Sequence, residues 1–159
     1  MRLRLLVAGT LAVLALLGLV ATSGFAHVRV AKTRVAIRDS GAEGVPNGNK
    51  FTLALNGVSY DSGKELITPY GGSKVIRDGQ AQMPVSGSEV LTGKKGTLYV
   101  HFDGVLIDVA TNRYAEYGTW KLEQFGTAGV YKSWKGGGRW AAVGISNHYY
   151  IEWDGLVTR

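Results

Sequence analysis

The chain contains no cysteine. That single absence excludes disulfide staples, thiolate zinc sites, cysteine nucleophiles, iron–sulfur clusters and a lipidated-cysteine anchor, so stability has to come from packing. There is no run of five or six like charges of the kind that makes a nucleic-acid tract. No G-x-G-x-x-G, G-x-S-x-G, Walker loop or H-E-x-x-H occurs. Gly136-Gly137-Gly138-Arg139 reads as a turn and not a phosphate loop, because it lacks both the following Lys-Ser/Thr and a helix whose N-terminus would hold an anion. Beyond the first residues no long segment carries helical periodicity.

What is present begins with an export signal. Arg2 and Arg4 precede an uncharged apolar run from Leu5 to Ala21, and Gly24 and Ala26 stand at the small-x-small positions of a cleavage site. The run falls slightly short of the roughly 20 apolar residues that span a bilayer, which favours cleavage over an uncleaved anchor. Residues 1–26 are therefore read as a secretory signal peptide and 27–159 as one domain, secreted and extracellular, with no membrane association after cleavage. Loss of the two arginines lowers the formal charge from +6 to +4. A mildly basic exported domain is soluble and is drawn to anionic cell-surface polymers or acidic ligands.

The domain alternates with period two between glycine-rich turns, as strands do. Leu98, Val100 and Phe102 share one face of a strand from Thr97 that extends to Asp108, with Leu106 continuing that face past Gly104. Trp120 and Leu122 share a face opposite Lys121 and Glu123; Tyr149, Ile151 and Trp153 share a face opposite Glu152 and Asp154. Strands with one apolar and one polar face are antiparallel strands wrapped round a core. Val28 and Val30 have the opposite parity to Val35 and Ile37, which predicts a break near Lys32-Thr33. Phe51, Leu53 and Leu55 form a further short strand, and Gly41 to Asn49 a loop. Val58 to Gly96, rich in Gly, Ser, Asp and Lys, reads as short strands joined by longer loops. The segment Thr111 to Trp120 echoes Thr127 to Trp140; each ends in Gly-x-Trp opening a strand, as successive hairpins of a meandering barrel would. The expected fold is all-β: a single antiparallel β-barrel of about eight strands.

Gly126-Thr127-Ala128-Gly129-Val130-Tyr131, running on to Gly136-Gly137-Gly138-Arg139-Trp140, resembles the GTGxYxGxxGxG hairpin of allene-oxide-cyclase-like and dirigent-like barrels. Phe102-Asp103-Gly104 with Thr111 to Tyr114 resembles the strand and turn before it. The resemblance covers about Gly96 to Gly155. It implies an eight-stranded antiparallel barrel with an apolar cavity, often trimeric, some members of which cyclise or orient small apolar ligands. It carries over no catalytic residue.

Candidates for chemistry follow from side-chain type and parity. His101, His148, Glu152 and Asp154 lie on the polar faces of strands and read as solvated surface before they read as metal ligands or a glycosidase pair. His27, if N-terminal after cleavage, could chelate copper, but nothing else supports that. Trp120 and Trp153 lie on apolar faces, as core or cavity lining. Trp134, between lysines in a turn, is expected to be exposed and to contact a ligand or surface. Asp108 and Gln124 have the parity of apolar faces and are placed at the barrel mouth, where they could orient a ligand. The expected ligand-binding residues are thus Trp134, Trp120, Trp153, Asp108 and Gln124, with no metal site and no cofactor. The leading function is a non-enzymatic binder of a small apolar or amphipathic ligand, or an extracellular interaction module. The alternatives are a cyclase or isomerase acting through the cavity and a carbohydrate-binding surface. The partners to expect are a small apolar ligand, a cell-surface polysaccharide or further copies of the chain, and no nucleic acid.

Overall fold

The structure, a computed structural model, describes residues 31–42 and 49–159. Residues 1–26, expected to be a signal peptide, lie outside the described residues, as do His27, Val28, Val30 and most of the Gly41–Asn49 loop. Among the described residues there is no helix. The strands are β1 (Thr33–Ala42), β2 (Lys50–Leu55), β3 (Val58–Gly71), β4 (Val75–Arg77), β5 (Gln80–Gly93), β6 (Gly96–Ala110), β7 (Arg113–Gly129), β8 (Lys135–Ile145) and β9 (His148–Thr158). Their order is β3-β2-β1-β9-β8-β7-β6-β5, and β3 pairs with β5 to close the ring. The result is a closed eight-stranded antiparallel barrel, with β4 added to the upper part of β5.

The ring has two ends. The lower carries the turns at Asn56-Gly57, Lys94-Lys95 and Val130–Trp134 together with Thr33 and Thr158. The upper carries the β4 hairpin and the turns at Thr111-Asn112 and Ser146-Asn147. Asn56-Gly57 and Asp78-Gly79 both hold positive φ at each residue (49° and 81°, 50° and 77°). That is the two-residue hairpin turn whose twist matches that of the flanking strands, and Asn-Gly and Asp-Gly are its preferred sequences.

Leu98, Val100, Phe102, Trp120, Ile151 and Trp153 are buried in one core, with Leu122 packed against it. The faces read from alternation in β6, β7 and β9 are therefore the buried ones. On the β6–β9 wall the register interleaves rings with glycines. Gly87 faces Phe102, Phe102 faces Trp120, and Trp120 faces Gly138; one step up, Gly104 faces Gly118, Gly118 faces Trp140, and Trp140 faces Trp153. A Cβ at Gly87, Gly104 or Gly155 would lie 2.7 Å from the ring of Phe102, Trp140 or Trp120 respectively. The rings thus occupy space that these glycines leave. Phe102 meets Trp140 and Trp153 edge-on at 5.3 and 5.8 Å, an arrangement worth about 0.5–1.5 kcal/mol per pair beyond burial. This explains the internal echo. Gly118-Thr119-Trp120 and Gly138-Arg139-Trp140 are one device used twice, although both tryptophans lie within their strands and do not open them.

The stretch from Val58 to Gly96 differs from its sequence reading. It is two 14-residue strands, β3 and β5, joined through the short β4. Their inward positions hold Asp61, Gly63, Glu65, Gly87, Glu89 and Gly93 beside Ile67, Val85 and Leu91, so the apolar alternation that marks a strand is broken in both.

Candidate functional site

Trp134 is the clearest correction: it is 2 % exposed and not a surface residue. The Val130–Trp134 turn folds back over the lower end, with Trp134 N–H donating to Tyr131 O at 2.9 Å. A turn of that pitch puts residues three apart on one side, so Tyr131 and Trp134 both point into the barrel while Lys132 and Ser133 point out. Their rings meet at 4.8 Å, and Tyr60 lies 5.8 Å from Trp134. Gln124 donates to Trp134 O at 2.6 Å, which makes it a brace for the turn at the lower end. Asp108 is exposed and ion-paired with Lys74. Trp120 and Trp153 are core, and their indole N–H groups are bonded: Trp120 to Arg139 O at 3.1 Å, Trp153 to Asp39. The five expected ligand residues are therefore not brought together. Outside the barrel, His101 pairs with Asp103 at 3.2 Å, Glu152 with Arg38 and Asp154 with Arg34, each at 3.0 Å.

Two sites do emerge. The first is a groove of about 580 Å³ on the outer face at the lower end, lined by Lys32, Lys135, Gly137, Arg139, Asp154 and Leu156 among others. Gly137 keeps its floor low, since a Cβ there would lie 2.3 Å from Trp120 O. The Asp154 carboxylate is taken up by two hydrogen bonds from Arg34, at 3.0 and 3.1 Å. Lys32, Lys135 and Arg139 have no ion pair among the described residues. Exposed Lys94, Lys95, Lys132 and Arg159 continue the positive field around the same end.

The second site is inside. Asp39 on β1, Glu65 on β3 and Glu89 on β5 are 4 %, 1 % and 0 % exposed. Each offers a carboxyl oxygen within 4.8 Å of the other two. Trp153 N–H donates to Asp39 Oδ2 and Tyr149 O–H to Glu65 Oε1 at 2.9 Å; Asn49 in turn donates to the Tyr149 hydroxyl. Among the described residues, no N–H or hydroxyl reaches Asp39 Oδ1, Glu65 Oε2 or either oxygen of Glu89. Burial pushes Glu65 up to about 7, against the pull of the Tyr149 hydrogen bond. Burial, then the charge of Glu65, raises Asp39 well above its ordinary value; burial, then the charges of Asp39 and Glu65, raises Glu89.

The sequence reading named none of the three. A signal was available, since Asp39 continues the parity of Val35 and Ile37, and Glu89 that of Val85 and Leu91.

Together these features define a closed antiparallel β-barrel with an aromatic wall, an acidic wall and one basic end. Comparison with protein-family models, curated proteins and solved structures finds no match to the chain.

Proposed function

We propose that this protein is an exported, non-enzymatic interaction module that binds a carboxylate-bearing polysaccharide of the cell exterior in the groove beside Gly137. The observation that carries the reading is the convergence of Lys32, Lys135 and Arg139, none with an acidic partner among the described residues, on a groove with a glycine floor and Leu156 on its wall. The apolar face of a sugar ring suits Leu156 and the bare backbone, and its carboxylates suit the three cations. A small apolar ligand inside the barrel is less favoured, because Phe102, Trp120, Trp140 and Trp153 already fill the β6–β9 wall.

The test is retention on immobilised polygalacturonate against its methyl ester, as a function of salt. The acidic polymer should bind, the ester should not, and binding should weaken as salt rises. Lys135→Ala with Arg139→Ala should weaken binding by about tenfold or more, equivalent to about 1.4 kcal/mol. Equal binding of ester and acid, or an unaffected double variant, overturns the groove. Equal retention of a DNA duplex overturns the polysaccharide.

A further inference from the structure

We infer that Asp39, Glu65 and Glu89 form a binding site for a hard divalent cation, with calcium the best match. The inference does not depend on the groove. Acidic residues that merely cluster would be expected to find donors or water. Here Glu89 is fully buried, points at two other carboxyls and has neither of its oxygens bonded to an N–H or hydroxyl. A buried charged group is normally paired or metal-bound. No described Lys, Arg or His forms an ion pair with any of the three.

The donor set selects the ion. All the ligand atoms are carboxylate oxygens, and such a set suits calcium, magnesium or manganese and not soft metals. Calcium binds oxygen at about 2.3–2.6 Å, so ligands on opposite sides of it lie about twice that apart. The 4.8 Å spread of the three oxygens lets one ion touch all three residues. Three carboxylates offer six oxygens, and calcium accepts mono- and bidentate carboxylates in flexible geometry, whereas magnesium demands near-ideal octahedral placement. Trp153 holds Asp39, and Tyr149, braced by Asn49, holds Glu65; these are the outer hydrogen bonds that orient ligand carboxylates in metal sites. A dication offsets two of the three negative charges, and the donors Trp153 on Asp39 and Tyr149 on Glu65 meet part of the remainder.

The test uses purified protein stripped with chelator. Calcium should raise the melting midpoint by several degrees at pH 7.5, more than magnesium does, and give a saturable heat of one ion per chain. Terbium, a hard calcium surrogate, would sit beside the Trp153 indole; excitation of tryptophan should produce its luminescence, and calcium should quench it by displacement. Glu89→Gln should fold, lose the calcium shift and lose the luminescence. If none of calcium, magnesium or manganese shifts the midpoint and terbium stays dark, the cluster holds protons only and the inference fails. It fails equally if Glu89→Gln keeps the full calcium response. Terbium luminescence of the unmodified protein decides the matter even if that variant does not fold. Polygalacturonate retention measured with and without chelator keeps this result separate from the groove.

Discussion

Asp61 and the Asp39–Glu65–Glu89 group are acids buried in the same barrel, with opposite outcomes. At the lower end, Asp61 accepts from the Tyr131 hydroxyl at 2.6 Å and from the backbone N–H groups of Ser62, Lys94 and Lys95 at 2.8, 3.1 and 3.2 Å. Burial alone would raise its pKa, but those four donors outweigh it and hold the carboxyl below its ordinary value. Inside the ring, three acids share two side-chain donors, and burial wins. Depth and the number of donors that meet it together decide whether a carboxylate stabilises a fold. Asp61 is a structural rivet, while the group of three is a site still in want of positive charge.

The comparison can be broken at several points. The largest effect should come from Trp134→Ala, which removes a buried ring packed on Tyr131 and Tyr60 and should cost roughly 3–5 kcal/mol in a urea melt, as Phe102→Ala should. Near-wild-type stability of Trp134→Ala would return that residue to the surface. Asp61→Ala leaves four donors unmet and should cost about 3 kcal/mol by the same melt. Glu89→Gln should go the other way, stabilising the chelator-treated protein at neutral pH by about 1–2 kcal/mol, since a neutral amide replaces an acid that burial disfavours as an anion. A loss of stability there would mean the acid is already compensated.

A smaller effect should appear in stability against pH without added cation. Glu65 titrates near 4.5 unfolded and about 7 folded. The folded state binds more protons between those values, so stability should fall as pH rises through that window and level off above it. Asp61 has the opposite sign. Its folded value lies below 3.8, so its contribution is present above that pH and is lost as pH falls through the folded value. A stability maximum between the two follows, and Glu65→Gln should flatten only the upper limb. Smallest of all, Lys135→Ala should leave the melting midpoint unchanged while reducing polymer retention.

The contrast also explains what could be read beforehand. The β6, β7 and β9 faces were legible because Leu98, Val100, Phe102, Trp120, Ile151 and Trp153 alternate with polar residues, and a register slip would bury charge. The barrel followed from them. β3 and β5 were obscured by the residues that make the acidic wall: an inward Glu65 or Glu89 looks like surface, and an inward Gly63, Gly87 or Gly93 looks like a turn. Sites break the local pattern they are built into. The groove was not legible, since it joins Lys32 ahead of β1 to residues of β8 and β9, and the surface contact was assigned to Trp134. Period-two reasoning stops where the strand stops, and in the turn that follows β7 the spacing of three took over. The donors on Asp61 come from residues 1, 33, 34 and 70 positions away, a convergence that no local pattern encodes.

β4 has a consequence for how copies of this molecule meet. A closed ring exposes no row of free backbone amides, but β4 ends the sheet with β5 on one side and no described strand on the other. It is three residues long, and Val75 and Ile76 are exposed. Such an edge is a template for strand addition, which natural sheets blunt by shortness and by flanking charge. Lys74 precedes it and Arg77 ends it here, and three residues offer too few hydrogen bonds to seed a stack. In β4 the barrel keeps its invitation to aggregate small and guarded by cations.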